Sequence, residues 1–172
     1  TVQQFQLNSP GYKNASKRAL MGNPMGKKKI IMKIKILLAE DERMLAEILS
    51  DTLGDRNFEV VLAYDGAKAL EMAPREQFDV IVTDVMMPKM DGYEFTEELR
   101  AFNQELPVLM VSAKQLPEDR KKGFISGIDD FMSKPIDPEE LLLHVKALLR
   151  RYKIISERQI CIGEIVLDYD SF

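Results

Sequence analysis

From Ile34 onward the apolar residues fall into two alternating rhythms. The runs IKILL (34–38), FEVVLA (58–63), DVIVT (79–83), PVLMVS (107–112) and DFMS (130–133) are short, nearly continuously apolar and biased toward β-branched and aromatic residues. That is the pattern of strands covered on both faces. Between them apolar positions recur every three to four residues: Leu45, Ile48, Leu49 and Leu53 within 44–53, then 67–73, then 93–102, and Leu141, Val145, Leu148 and Leu149 within 138–151. This spacing predicts helices with one apolar stripe. The segment EDRKKGFIS (118–126), with an internal Gly123 and few apolar anchors, predicts a weaker and more mobile helix. Strand and helix alternate five times. Connections this short imply right-handed crossovers, and hence an α/β fold: a doubly wound five-stranded parallel sheet flanked by helices.

In such sheets function collects outside the carboxyl ends of the strands. Here the first strand leads into Glu40, Asp41 and Glu42, the third into Asp84, the fourth into Ser112 and Ala113, and the fifth into Lys134 and Pro135. Singly, each has an ordinary explanation. Asp41 and Ser112 suit helix caps, Asp84 a turn and Lys134 a solvated surface. Together they line one edge with carboxylates, a hydroxyl and an ammonium. Carboxylates brought close repel one another unless a cation intervenes, and a few oxygen ligands suit Mg2+. No Cys/His cluster supports zinc, and no D-x-D-x-D-G loop supports calcium. A carboxylate beside Mg2+, with a lysine and a hydroxyl at hand, is equipped as a nucleophile toward a phosphoryl group. The metal and Lys134 would neutralise the oxygens of the transferred group.

Composition adds bounds. A chain of 172 residues, 45% hydrophobic, can bury one sizeable core. Cys161 is the only cysteine, so no intrachain disulfide forms. No apolar run approaches the roughly 18 residues of a membrane span, and the expectation is a cytoplasmic, reducing setting with no membrane partner. Residues 1–39 hold eight of the 24 Lys and Arg and no acid, leaving 16 basic against 28 acidic residues in the remainder, a net of −12. So acidic a body is a poor nucleic-acid binder by itself. Residues 1–31 are expected to be a disordered or artificial basic leader, 32–152 one domain, and 153–172 a linker and the start of a second domain.

Four motifs, AEDE (39–42), DVMMPKMDG (84–92), VSAK (111–114) and DDFMSKP (129–135), occur in order at the strand ends. Over about residues 33–152 the chain thereby resembles the receiver domain of two-component response regulators. The resemblance implies that Asp84 accepts a phosphoryl group from a sensor histidine kinase in a Mg2+-dependent reaction. It makes Asp41 a direct metal ligand, Glu40 its acidic partner and the Met86 carbonyl a further ligand, in a loop shaped by Pro88 and Gly92. Lys134 would pair with the acceptor and then with its phosphate. Ser112 would reorient toward the phosphate, Phe131 would rotate inward, and the segment 118–126 would be biased by phosphorylation. The chain would catalyse only its own phosphorylation and dephosphorylation.

Beyond residue 152, QICI (159–162) and EIVLDY (164–169) alternate as two short strands around Gly163. They resemble the opening β-hairpin of the winged-helix effector in DNA-binding response regulators, so DNA would be reached only through an effector mostly absent from this sequence. In that class phosphorylated receivers form homodimers through the fourth helix, fifth strand and fifth helix. The resemblance pairs Arg120 with Glu140 and Asp129 with Arg151 across the dimer, and sets Asp130 against His144, where the pattern has Arg. Phe124 and Leu143 keep the apolar patch, but Lys121 replaces an aliphatic residue.

Two other readings compete. An aspartyl-nucleophile phosphatase would carry D-x-D-x-T, and Met86 occupies the position of the second Asp. A stand-alone receiver acting as a protein-interaction module is the alternative output, whereas a degenerate receiver serving only as a binding module would need none of the strand-end residues that are present.

Overall fold

The computed structural model describes residues 33–113 and 116–152. The basic leader and the expected C-terminal hairpin lie outside the described residues. In chain order the elements are β1 (Lys35–Ala39), α1 (Arg43–Asp55), β2 (Glu59–Ala63), α2 (Gly66–Met72), β3 (Val80–Asp84), α3 (Gly92–Phe102), β4 (Val108–Ser112), α4 (Pro117–Ser126), β5 (Asp130–Ser133) and α5 (Pro138–Arg151). All four strand pairings are parallel, in the order β2-β1-β3-β4-β5. The order reverses about β1, as expected of a doubly wound sheet.

Successive strand residues face opposite sides, and the apolar runs are divided accordingly. Leu37, Ile81, Val108, Met110 and Phe131 join Phe95 and Leu99 of α3 and Ala69 of α2 in one core layer. Ile36, Leu38, Val80, Val82, Leu109 and Met132 join Leu49 and Leu53 of α1 and Leu141, Val145 and Leu148 of α5 in the other. Burying each of these larger side chains contributes about 1.5–3 kcal/mol, and this anchors the sheet whose upper edge carries the chemistry.

Helix starts follow local chemistry. Asp91 and Glu94 form a reciprocal capping box at α3. Asp137 accepts from the Glu139 and Glu140 amides ahead of α5, with Pro138 in its first turn. Asp65 caps α2. Gly127, at φ 102°, closes α4 in the left-handed conformation.

The amino edge of the sheet is cross-linked by charge. Lys35 pairs with Glu59 and Glu76 at 2.8 and 2.5 Å, which holds its ammonium above the usual lysine range. Its amide donates to Asp79. Arg100 donates to the Gly127, Asn103 and Leu106 carbonyls and to Asp129. Asp129 also accepts from the Val108 amide and the Tyr152 hydroxyl.

Candidate phosphoryl-acceptor site

Parallel strands put their carboxyl ends side by side, so the residues that leave β1, β3, β4 and β5 meet at one edge. Register sets Ala39 beside Thr83, Asp84 beside Val111, and Ser112 beside Ser133. Asp84 is therefore the last residue of β3 and nearly buried, and not a turn residue. Its carbonyl accepts from Thr83 Oγ1 at 3.0 Å, and its Oδ1 accepts from the Met86 amide at 3.3 Å. Gly92 packs so closely that a Cβ there would lie 2.2 Å from the Asp84 carbonyl oxygen. Both the main chain and the side chain of Asp84 are thus held.

Lys134 follows β5, and its amide donates to the Ser112 carbonyl at 2.8 Å. Its Nζ lies 2.8 Å from Asp84 Oδ2 and 2.9 Å from Glu40 Oε2. It is an ion-paired bridge and not a solvated charge. Burial pulls the Lys134 pKa down, but the hydrogen bonds to Asp84 and Glu40 outweigh it and leave it above the usual lysine range. Glu40 is buried, and burial pushes its carboxyl pKa up against the opposing hydrogen bond from Lys134, with the nearby Asp84 charge adding to the rise. The exposed Asp41 completes the group. Carboxylate oxygens of Glu40, Asp41 and Asp84 all lie within 4.8 Å of one another. Among the described residues, these three carboxylates, when ionised, outnumber the bridging Lys134 ammonium and leave an excess of two negative charges. An oxygen-only donor set with that excess fits a divalent cation of the Mg2+ type.

The alternative capping roles do not apply. Glu42, not Asp41, occupies the N-cap of α1 and makes no side-chain cap bond. Leu116 is the N-cap of α4, while Ser112 is a buried strand residue. Phe131 is buried in the sheet, with the Arg120 guanidinium 5.2 Å above its ring.

The charged residues expected as dimer contacts have partners within the chain. Asp129 binds Arg100, and its main-chain carbonyl accepts from Arg151 at 3.2 Å. His144 Nδ1 lies 2.6 Å from Asp130 Oδ2, and Nε2 lies 3.8 Å from Glu140. Phe124 and Leu143 are exposed. Sequence reasoning misses the ion pair between Lys89, in the loop after β3, and Asp65, before α2, at 2.6 Å. Aspartate before a Gly-Ala pair signals a cap, but nothing local signals its second partner.

A doubly wound parallel sheet with Glu40, Asp41, Asp84 and Lys134 at its carboxyl edge is consistent with the receiver class of signalling domains. The sequence profile described as "Response regulator receiver domain" matches residues 36–146, and the chain belongs to that family, whose general function is phosphorylation-activated signalling. It is 40% identical over 141 residues to the probable transcriptional regulatory protein TcrX of Mycobacterium tuberculosis, covering 80% of this chain and 60% of that protein. It is 41% identical over 123 residues to the response regulator MprA of Mycobacterium ulcerans, covering 72% of this chain and 53% of that protein. The chain thus spans little more than half the length of these relatives. Among solved structures, chemotaxis protein CheY4 of Vibrio cholerae superposes with a TM-score of 0.66 at 35% identity, over 69% of this chain and 100% of that one. The Francisella response regulator 1452 receiver domain gives 0.66 at 34%, over 69% and 98%. Among the described residues no helix is long and apolar enough to cross a membrane.

Proposed function

We propose that Asp84 is the phosphoacceptor of this receiver and that a sensor histidine kinase is its donor. The observation that carries the reading is Asp84 held on both sides: Lys134 on one carboxylate oxygen, the Met86 amide on the other, and Glu40 and Asp41 alongside. A carboxylate oxygen of Asp84 attacks phosphorus, a P–O bond forms to give an acyl phosphate, and the P–N bond to the donor imidazole breaks, that nitrogen taking up a proton. Glu40, Asp41, Asp84 and the Met86 carbonyl would hold Mg2+, which when bound neutralises charge on the phosphoryl oxygens. Lys134 keeps its proton and supplies a second positive charge to the same oxygens.

Ser112 and Phe131 form the switch, turning the new charge at the edge into a change along α4, β5 and α5. The output is DNA binding through an effector domain beyond the receiver, with phosphorylation favouring a homodimer. The chain promotes its own phosphorylation and dephosphorylation and does not act as an enzyme on other molecules. Incubation with acetyl phosphate and Mg2+, with intact-mass measurement afterwards, is expected to show one phosphoryl addition that is lost without Mg2+ and in Asp84→Asn. Persistent labelling of that variant overturns the assignment.

A further inference from the structure

The loop between β3 and α3 carries Met86, and its shape is held from outside the loop. Lys89 has φ 66°. In this region a Cβ crowds the neighbouring carbonyl, and glycine is the usual occupant. A lysine there needs a contact that holds it. Its Nζ lies 2.6 Å from Asp65 Oδ2, in the connection before α2. Asp65 is itself fixed, because its other oxygen accepts from the Lys68 amide at 2.7 Å and caps that helix. Next to it, Gly66 packs beneath the Met90 carbonyl so closely that a Cβ would come within 2.2 Å of the oxygen. The loop therefore rests on the start of α2 at two points, a main-chain contact at Met90 and an ion pair at Lys89. Most exposed ion pairs contribute little because both chains must be ordered to form them. Here the Lys89 side chain is 68% exposed, but the Asp65 side chain is only 12% exposed and already ordered by its cap.

We propose that Lys89 is a positioning residue: its ion pair with Asp65 holds the β3–α3 loop in the left-handed turn that presents the Met86 carbonyl to the cation. Lys89 touches neither metal nor phosphoryl group and acts through Met87 and Pro88, the two residues that separate it from Met86. The inference rests on the reading of this edge as a Mg2+-dependent acceptor site.

Three substitutions separate the tether from simple backbone strain. Lys89→Gly removes the amine while suiting the positive φ, so a role in strain alone would leave it neutral or improved. Lys89→Arg keeps a cation of similar reach. Asp65→Asn keeps an oxygen able to cap α2 but removes the charge. The first readout needs no metal: hydrogen exchange of the Met90 and Gly92 amides, which donate to Pro88 and Val85 at 2.8 and 2.9 Å. The second is Mg2+ affinity by calorimetry. Lys89→Gly and Asp65→Asn are each expected to speed exchange at both amides and to weaken Mg2+ binding by about tenfold, the lower end for partners of metal ligands. Lys89→Arg should remain near wild type. The double variant Lys89→Gly/Asp65→Asn should be no worse than either single one, because both remove the same contact. Wild-type exchange and affinity in Lys89→Gly, or fully additive losses in the double variant, overturn the inference. Wild-type protein that binds no Mg2+ would instead overturn the acceptor reading, and with it the metal half of this one.

Discussion

Gly92 is the residue at which space is tightest around the acceptor. A methyl group there would meet the Asp84 carbonyl oxygen at 2.2 Å and Val85 Cα at 3.0 Å, and both are backbone that cannot rotate away. Gly92→Ala is therefore expected to lower stability by about 1–3 kcal/mol, as overpacking of fixed atoms does, and to slow phosphorylation by moving β3. Urea denaturation with acetyl phosphate labelling checks both effects, and an unchanged midpoint would contradict the contact. At this scale the sequence is partly legible. The positions at the carboxyl ends of the strands are enough to bring Glu40, Asp41, Asp84 and Lys134 to one edge, because a parallel sheet forces those ends together. Gly92 reads as a turn residue, but its approach to the Asp84 carbonyl has no signature in one dimension. Nor does the positive φ of Lys89, since a lysine in a loop reads as solvated. Within the chain Asp129 is held by Arg100, 29 positions away. Periodicity carries no record of such a pair.

Among the elements α4 is the least well seated. Of its residues only Gly123 and Ser126 are buried, and Phe124 and Ile125 face outward. Its fastenings come from aromatic and polar contacts: Arg120 over Phe131, Lys122 4.3 Å over Tyr93, and the Tyr93 hydroxyl donating to the Asp119 carbonyl at 3.2 Å. Exposed cation–π contacts contribute only about 0.5–1 kcal/mol each. α5, by contrast, buries Leu141, Leu142, Val145, Leu148 and Leu149. Native-state hydrogen exchange is expected to show the amides of α4 opening at a lower free energy than those of α5, and equal protection would contradict this. The weak helix is visible in EDRKKGFIS, as are all five strands, because buried strands and striped helices are written in hydropathy. Boundaries shift where hydropathy stops. Polar Asp84 belongs to β3 because of its ladder partner Val111, and α1 runs on to Asp55 through polar residues.

For the whole molecule the question is what phosphorylation joins together. The proposed dimer needs Asp130 and His144 from different chains, yet in the single chain they already face each other at 2.6 Å, and Arg120 lies on Phe131. Association must therefore exchange contacts within the chain for contacts between chains, which favours a monomer at rest. Sedimentation is expected to show a monomer without activation and a dimer with beryllofluoride and Mg2+. His144→Arg, which restores the longer cation, should shift the activated equilibrium further toward dimer. Activated protein that stays monomeric in both forms would rule out pairing by this face.

The two edges of the sheet differ in how far their charges are satisfied. At the amino edge, Lys35, Asp79, Arg100 and Asp129 are each engaged by neighbours from distant parts of the chain. At the carboxyl edge, among the described residues, Glu40, Asp41 and Asp84 outnumber the Lys134 ammonium that bridges Glu40 and Asp84. Inherited changes should sort along the same line. A lesion at the amino edge alters how many copies survive quality control and leaves each survivor responsive, so raising expression can compensate for it. Replacing the Asp84 carboxylate itself is expected to leave the copy number near normal and to silence every copy, so that no increase in dose restores the response.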